Sequence, residues 1–346
     1  MAKSHGPINK NVVDILREIN GVRYDSLTKR VVFPLESHDK LQVSLATLRI
    51  GVEPLLRSTL AAAQMQNNRN KARASQENYN AEKVLRGRLH ERLLSSLADF
   101  QKEGVLFAVQ NEGRVLIADE MGLGKTRQAI AAAVMFKEDW PVLIICPSSA
   151  RYHWLEETTS LMAPECLPVD GIVLVENQHY NHRVSHKVII VSYSTVQKLQ
   201  ALIQSINFNV IIADESHFLK NLKTQRAQCL LPLLKRSRRA ILLSGTPALS
   251  RPLELFTQLH VLSPHVWPDE KEFARRYCRN PKGKYFSDFR GASNTQELHI
   301  MLSNTVMIRR LKKDVMTMLP KKYRSIRKID VRDEEVKSNF RYCMTP

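Results

Sequence analysis

From residue 93 onward, apolar runs without polar alternation are separated by stretches of helical spacing. The runs at 114–118, 142–146, 171–176, 187–193, 209–213 and 240–244 predict six strands. A strand that is apolar at every position is buried on both faces, and strands alternating with helices predict a parallel sheet covered by helices on both sides. Upstream the rhythm differs. Val12, Val13, Ile15, Leu16 and Ile19 have helical spacing, and Val22 to Tyr24 and Val31 to Leu35 read as short strands around the turn Asp25 to Thr28. Ser37 then caps a helix carrying Leu41, Val43, Leu45 and Leu48. These elements predict a small α+β module over 7–60. Residues 61–92 are polar, with Gln64 to Asn68 at their centre, and read as a partly helical linker. The sheet domain is expected over 93–263. A helical extension follows over 264–346, with no strand signal between 252 and 316.

Charge sharpens this division. The net charge of +18 is unevenly placed: residues 1–100 hold 16 Lys/Arg against 10 Asp/Glu, 101–270 hold 17 against 16, and 271–346 hold 19 against 8. The predicted sheet is nearly neutral and its flanks are basic, which points to a polyanionic partner, nucleic acid first. Arg309, Arg310, Lys312 and Lys313 are placed either to contact phosphates, as a solvated helix face, or to fix a following domain. Lys235-Arg236-Ser237-Arg238-Arg239 has the composition of a nuclear import signal but directly precedes a strand, where a helix-to-strand connection is expected. Five cysteines without a Cys-x-x-Cys pair argue against a zinc site or a disulfide framework. No apolar run approaches the roughly 20 residues that span a bilayer, so no membrane partner is expected. Nothing in the pattern points to a homo-oligomer.

Three strand ends carry the candidate chemistry. The run Val115 to Ala118 opens into Asp119, Glu120, Met121, Gly122, Leu123, Gly124, Lys125 and Thr126, and then a helix. Glycines let backbone N–H groups approach phosphates, Lys125 reaches β/γ oxygens, and the Thr126 hydroxyl can hold Mg²⁺. The helix N-terminus adds a favourable dipole. Strict phosphate-loop spacing asks for glycine where Asp119 stands. The run Val210 to Ala213 ends in Asp214-Glu215-Ser216-His217, which would place a metal-holding carboxylate, Asp214, beside a base for water, Glu215. Ala240 to Leu243 leads into Ser244-Gly245-Thr246-Pro247, whose hydroxyls can link the site to a neighbouring surface. All three lie at carboxyl ends of strands, where open α/β sheets bind ligands.

Together, Phe100-Gln101, Asp119 to Thr126, Pro147-Ser148-Ser149, Asp214 to His217 and Ser244 to Pro247 resemble the ordered first-lobe motifs of the Swi/Snf-related ATPases of the second helicase superfamily. Asp214 to Asn221 and the tract Trp140 to Trp154 are similar to the HepA-related annealing helicases, and Tyr24 to Leu48 resembles their HARP domain. The resemblance implies a RecA-like phosphate-loop fold and a DNA-dependent ATPase that translocates on branched DNA and anneals complementary strands in the nucleus. Forked or single-strand/double-strand junctions would be its DNA partners, with a single-strand-binding protein as a further partner and ATP with Mg²⁺ as cofactors. Glu215, Asp214 and Lys125 would be catalytic, with Thr126 and Asp214 on the metal. Phe100 and Gln101 would take the adenine, Gly122, Gly124, Lys125 and Thr126 the phosphates, with Asp119, Met121 and Leu123 also lining the nucleotide site, Ser148 and Ser192 the DNA, and Ser244 and Thr246 would couple the lobes.

Two residues depart from the pattern: Asp99 stands where proline is usual, and Arg127 replaces an aliphatic residue. No second-lobe motif follows Leu319-Pro320-Lys321-Lys322, so an incomplete motor with negligible turnover by itself is expected. A nucleosome-remodelling ATPase and a truncated, non-catalytic DNA-binding adaptor remain alternatives.

Overall fold

In the computed structural model, which describes residues 23–25, 30–32, 37–47, 81–222, 224–245, 251–279 and 291–315, the six long apolar runs become strands of one sheet. In chain order the elements are β1 (Arg23–Asp25), β2 (Arg30–Val32), α1 (His38–Thr47), α2 (Ala81–Arg86), α3 (Glu91–Ser95), α4 (Asp99–Gln110), β3 (Arg114–Ile117) and α5 (Lys125–Met135). They continue with β4 (Val142–Cys146), α6 (Arg151–Met162), β5 (Ile172–Val175), β6 (Val188–Ser192), α7 (Tyr193–Lys198), α8 (Gln200–Ser205), β7 (Val210–Ala213) and α9 (Gln225–Arg236). The last are β8 (Arg239–Leu243), α10 (Leu253–Leu262), α11 (Glu270–Tyr277), α12 (Thr295–Thr305) and β9 (Met307–Ile308).

The main sheet has the order β5-β6-β4-β7-β8-β3-β9, and every pairing in it is parallel. Its strands are apolar throughout because each alternate residue enters a different core. Leu116, Leu143, Ile145, Ile189, Val191, Ile211 and Leu242 join the helices α7, α9, α10, α11 and α12 on one face. Val115, Ile117, Val142, Ile144, Ile190, Ile212 and Ile241 join α3, α4, α5 and α6 on the other. The period of two is present but invisible in hydropathy, since both faces are covered. The run Ala129 to Ala133 in α5 is fully buried, and small side chains let that helix lie close on the sheet.

In the N-terminal module, β1 and β2 pair antiparallel with Tyr24 opposite Val31 and α1 follows, as the pattern predicts. The helix expected at Val12 to Ile19 lies outside the described residues. One boundary shifts. Leu85 and Leu89 are buried in the same core as Val115 and Ile130, so residues from α2 onward pack with the sheet, where a linker to residue 92 was expected; their apolar edge is narrow within a polar stretch. The described part of the segment 264–315 is mainly helical, as expected, and it packs on the sheet and adds a strand that the pattern did not show. Trp267, Phe273, Tyr277, Leu298 and Leu302 share a core with the sheet, and Met307–Ile308 adds β9 beside β3. A two-residue strand leaves no run to recognise.

Basic residues at the opposite edge from the strand carboxyl ends are structural. Arg238 and Arg239 both bind the buried Asp139, at 2.8 and 2.9 Å, and Arg239 lies 4.3 Å over the Phe136 ring. Lys235 Nζ sits 2.9 Å from His260 Nε2. The expected connecting role of this basic stretch is therefore the observed one. Arg114 donates to the carbonyls of Leu234 and Ser237 at the end of α9 and of Val261 and Leu262 at the end of α10. One guanidinium thus serves four carbonyls that helices leave unpaired, at the negative ends of two dipoles. Replacing Arg114 by Met keeps the stem and removes a donor from all four, leaving the Leu234 carbonyl only the Ser237 hydroxyl. The variant should lose about 2–4 kcal/mol in urea unfolding, and Arg114→Lys should recover only part, because one ammonium cannot span both helix ends.

Candidate functional site

The loop between β3 and α5 is built from two left-handed glycines, Gly122 (φ 85°) and Gly124 (φ 70°). Left-handed backbone favours glycine, and at Gly124 space demands it too, because a Cβ would run into the Gln101 amide. Lys125 and Thr126 open α5, both half-buried, while Met121 stands 60% exposed at the loop's tip. Lys125 Nζ donates to the Asp119 carbonyl at 3.0 Å. Burial lowers the Lys125 pKa below its usual value, partly countered by the carboxylates of Glu215, Asp214 and Asp119, so two of the strand-end motifs meet at this amine, and Gly245 of the third lies against it.

The carboxylate of Asp119 is fully buried. Its Oδ1 accepts from the backbone N and Nε of Arg310, at 2.9 and 3.1 Å, and its Oδ2 from Arg310 Nη2 and Gln128 Nε2, both at 2.9 Å. Four donors fill its four acceptor sites and leave none for a nucleotide. The same guanidinium bonds the Phe100 carbonyl and Gln128 Oε1 and lies 5.3 Å over the Phe100 ring. Gly104 is required beneath it, since a Cβ there would strike Gln128 and Arg310. Arg309 binds the Ala118 carbonyl at 2.9 Å, and the Lys312 backbone N–H binds Glu120 at 2.8 Å. The basic segment 309–312 is thus the anchor of the loop. Of the roles considered for it, phosphate contact is not what Arg310 performs.

Gln101 is buried, its Oε1 accepting from the Ala98 N–H and its Nε2 donating to the Leu123 carbonyl, at 2.9 and 3.0 Å. Phe100 and Leu123 pack with Val315 in a small cluster. Asp99 sits in the first turn of α4 and pairs with Lys102, while Arg127 pairs with Glu157 of α6.

At the end of β7, Asp214 accepts from its neighbour's N–H on Oδ1 (2.9 Å) and from Trp154 Nε1 on Oδ2 (2.8 Å). Its carbonyl accepts from the Tyr193 hydroxyl at 2.7 Å. Glu215 adopts a left-handed conformation (φ 46°), uncommon for a non-glycine residue and a typical strain at functional turns. Its Oε2 lies 3.1 Å from His217 Nδ1, close enough for an ion pair but without hydrogen-bond alignment. Cys146, beneath this edge, has its pKa pushed up to about 12 by burial and is an inert core thiol.

The remaining candidates divide. Ser148 is exposed in the turn before α6. Ser192 is 1% exposed, caps α7 by accepting from Thr195 N–H, and bonds the hydroxyls of Ser194 and Thr195. Its neighbour Ser194 is the exposed hydroxyl there. Ser244 is buried, its hydroxyl without a hydrogen-bond partner among the described residues, and Thr246 lies outside them. The contacts that Arg310, Gln128, Gly104 and Trp154 make were not anticipated. The signal for the first was Asp119 itself, a carboxylate directly after a buried strand, which requires a cation.

A magnesium ion fits this donor set in company with phosphates. Among the described residues no cluster of three or more His, Cys, Asp or Glu is placed to hold a metal, and Mg²⁺ is bound by one or two protein oxygens plus substrate phosphates in such sites. Among the described residues, one donor meets each Asp214 oxygen, which leaves an acceptor position on each for that purpose.

Residues 100–341 match the family described as the SNF2-related domain. The chain is 38% identical over 316 residues to the SWI/SNF-related matrix-associated actin-dependent regulator of chromatin subfamily A-like protein 1 of Xenopus laevis, covering 91% of this chain and 32% of that protein. It is 44% identical over 245 residues to the DNA annealing helicase and endonuclease ZRANB3 of Mus musculus, covering 68% of this chain and 23% of that protein. The chain therefore spans about a third or less of the length of these relatives. The Sulfolobus solfataricus SWI2/SNF2 ATPase core in complex with dsDNA superposes with a TM-score of 0.54 at 25% identity, over 65% of this chain and 47% of that one. The seven-stranded parallel sheet is thus a RecA-like SWI2/SNF2 ATPase core fold.

Breaking the buried pair from one side should be costly. Arg310→Ala or Asp119→Ala should each lose about 3–5 kcal/mol in urea unfolding, and the double variant should lose clearly less than their sum. Additive losses would show that the pair is not coupled.

Proposed function

The chain belongs to the SNF2-related family, and from that premise we propose that it is the nucleotide-binding lobe of a DNA-dependent ATPase that remodels branched DNA and anneals its strands. The observation that carries the reading is the convergence of Lys125, Asp214 and Glu215 above a cradle of left-handed glycines. The relatives named as a chromatin regulator and a DNA annealing helicase support the substrate class and a nuclear setting.

In this reading the loop N–H groups from Gly122 to Thr126 take the phosphates. Lys125 leaves the Asp119 carbonyl for the β/γ oxygens. Glu215 accepts a proton from the attacking water, and its left-handed backbone turns the carboxylate away from the β7 axis toward the loop. Thr126 and Asp214 would hold magnesium, which supplies charge neutralisation at the transferred phosphoryl group. Gln101 serves the adenine through its amide, whose two present bonds also fasten the loop to the start of α4. Arginines of a second lobe would add on the order of 10³–10⁵ in rate, so this lobe by itself would bind nucleotide and turn it over slowly. Ser148 would meet the DNA backbone, and forked junctions are the preferred DNA.

Calorimetry with Mg·ATP checks the site. Lys125→Ala should weaken binding roughly 10- to 100-fold, the worth of one charge-assisted contact. Glu215→Gln should bind normally yet lower turnover on forked DNA by roughly 10²–10⁴-fold, as expected on losing a general base. Unaltered binding in Lys125→Ala would sink the reading.

A pH effect follows from Lys125. Bound phosphate would raise the lowered pKa of its amine, so binding takes up a proton in the alkaline window between the two values. Affinity should fall as pH climbs through that window, with a heat that depends on the buffer's ionisation enthalpy; a buffer-independent heat there would contradict it.

A further inference from the structure

The geometry points to Trp154 as the positioning residue of Asp214: its indole N–H sets the carboxylate in the orientation that receives magnesium. The inference rests on the ATPase reading above and deepens it. Trp154 lies on α6, fully buried in the core between that helix and the sheet, and reaches across 60 residues of sequence to Asp214 Oδ2 at 2.8 Å. The opposite oxygen, Oδ1, is held by the Glu215 N–H at 2.9 Å, and the carbonyl of the same residue by Tyr193. One donor on each oxygen fixes the plane of the carboxylate and leaves one acceptor position free on each. With Oδ2 released, only the adjacent backbone N–H would restrain the side chain, and rotation about its bonds would be open.

The two other tryptophans show that this bond is more than the satisfaction of a buried indole. Trp140 donates to a backbone carbonyl, that of Ala133, at 2.9 Å, and Trp267 Nε1 is buried with no hydrogen-bond partner among the described residues. The fold therefore tolerates an unpaired indole, yet places this one on the carboxylate expected to serve the metal. The strut is also packed and bonded in place. The first turn of α6 is tied down by Arg151, which donates to the Ser148 carbonyl at 3.1 Å, and Trp154 shares its core with Leu161 and Met162 of the same helix. Groups that orient metal ligands in this way commonly change metal affinity roughly 10- to 100-fold when removed.

The test uses the 346-residue chain and ADP as the probe. Affinity is measured by calorimetry with magnesium and with a chelator, for the wild type and Trp154→Phe, which keeps an apolar ring and deletes the donor. Metal-free ADP should bind both within about twofold, while the tightening conferred by magnesium should fall roughly tenfold or more in the variant. A magnesium effect unchanged within about twofold would overturn the inference while leaving the ATPase reading intact. Failure of the wild type to bind ADP at all would overturn both. Fluorine NMR of the otherwise wild-type chain carrying 5-fluorotryptophan gives a readout that does not require the variant to fold. Its three resonances are assigned with Trp140→Phe and Trp267→Phe. Adding magnesium to the ADP complex should move the Trp154 signal and not the other two; a Trp154 signal that stays in place would refute the positioning role.

Discussion

The site depends on a carboxylate buried where most phosphate loops have a glycine. Asp119 follows β3 directly, and its charge is met by Arg310, 191 residues later in the chain. A buried ion pair of this kind gains little net stability over an apolar substitute, because desolvation offsets most of the attraction. What it supplies is registration. Arg310 holds Asp119 in the loop, the Phe100 carbonyl in α4 and Gln128 in α5 with one planar fork, so the three elements around the loop cannot shift independently. β9 exists because the backbone leading to Arg310 must run beside β3 to deliver it.

The rest of the site is arranged on rigid supports in the same manner. Asp214 stands at the end of a central strand with both oxygens bonded, and Lys125 emerges from the first turn of a helix packed by alanines against the sheet. Glu215 is the one non-glycine residue of the site with a left-handed backbone, among the described residues. Gln101 and Arg310 grip the loop from opposite ends, one at Leu123 and the other at Asp119.

The sheet was legible because its strands are buried on both faces and therefore read as uninterrupted apolar runs. The motifs at 119–126 and 214–217 were legible because their chemistry depends on residues close in sequence. What escaped notice depends on distant partners. Met307–Ile308 is too short to stand out, and the role of the arginines after it is defined by partners far back in the chain, Ala118 for Arg309 and Asp119, Phe100 and Gln128 for Arg310. Ser192 looks available in sequence, but a serine at a strand-to-helix junction is equally a helix cap, and burial decides for the cap. The apolar edge of α2 is only two or three residues in a polar stretch, too narrow to distinguish a domain's first helix from a connecting segment.

Arg310 also places the nucleotide loop in time. At a synthesis rate of about 5–20 residues per second, the anchor emerges roughly 10–40 s after Asp119 has been made. Throughout that interval the loop carries an uncompensated acid at the edge of β3, and the pocket cannot take its final shape. The nucleotide cradle, encoded near the start of the sheet domain, is therefore among the last parts of the lobe to be completed on the ribosome.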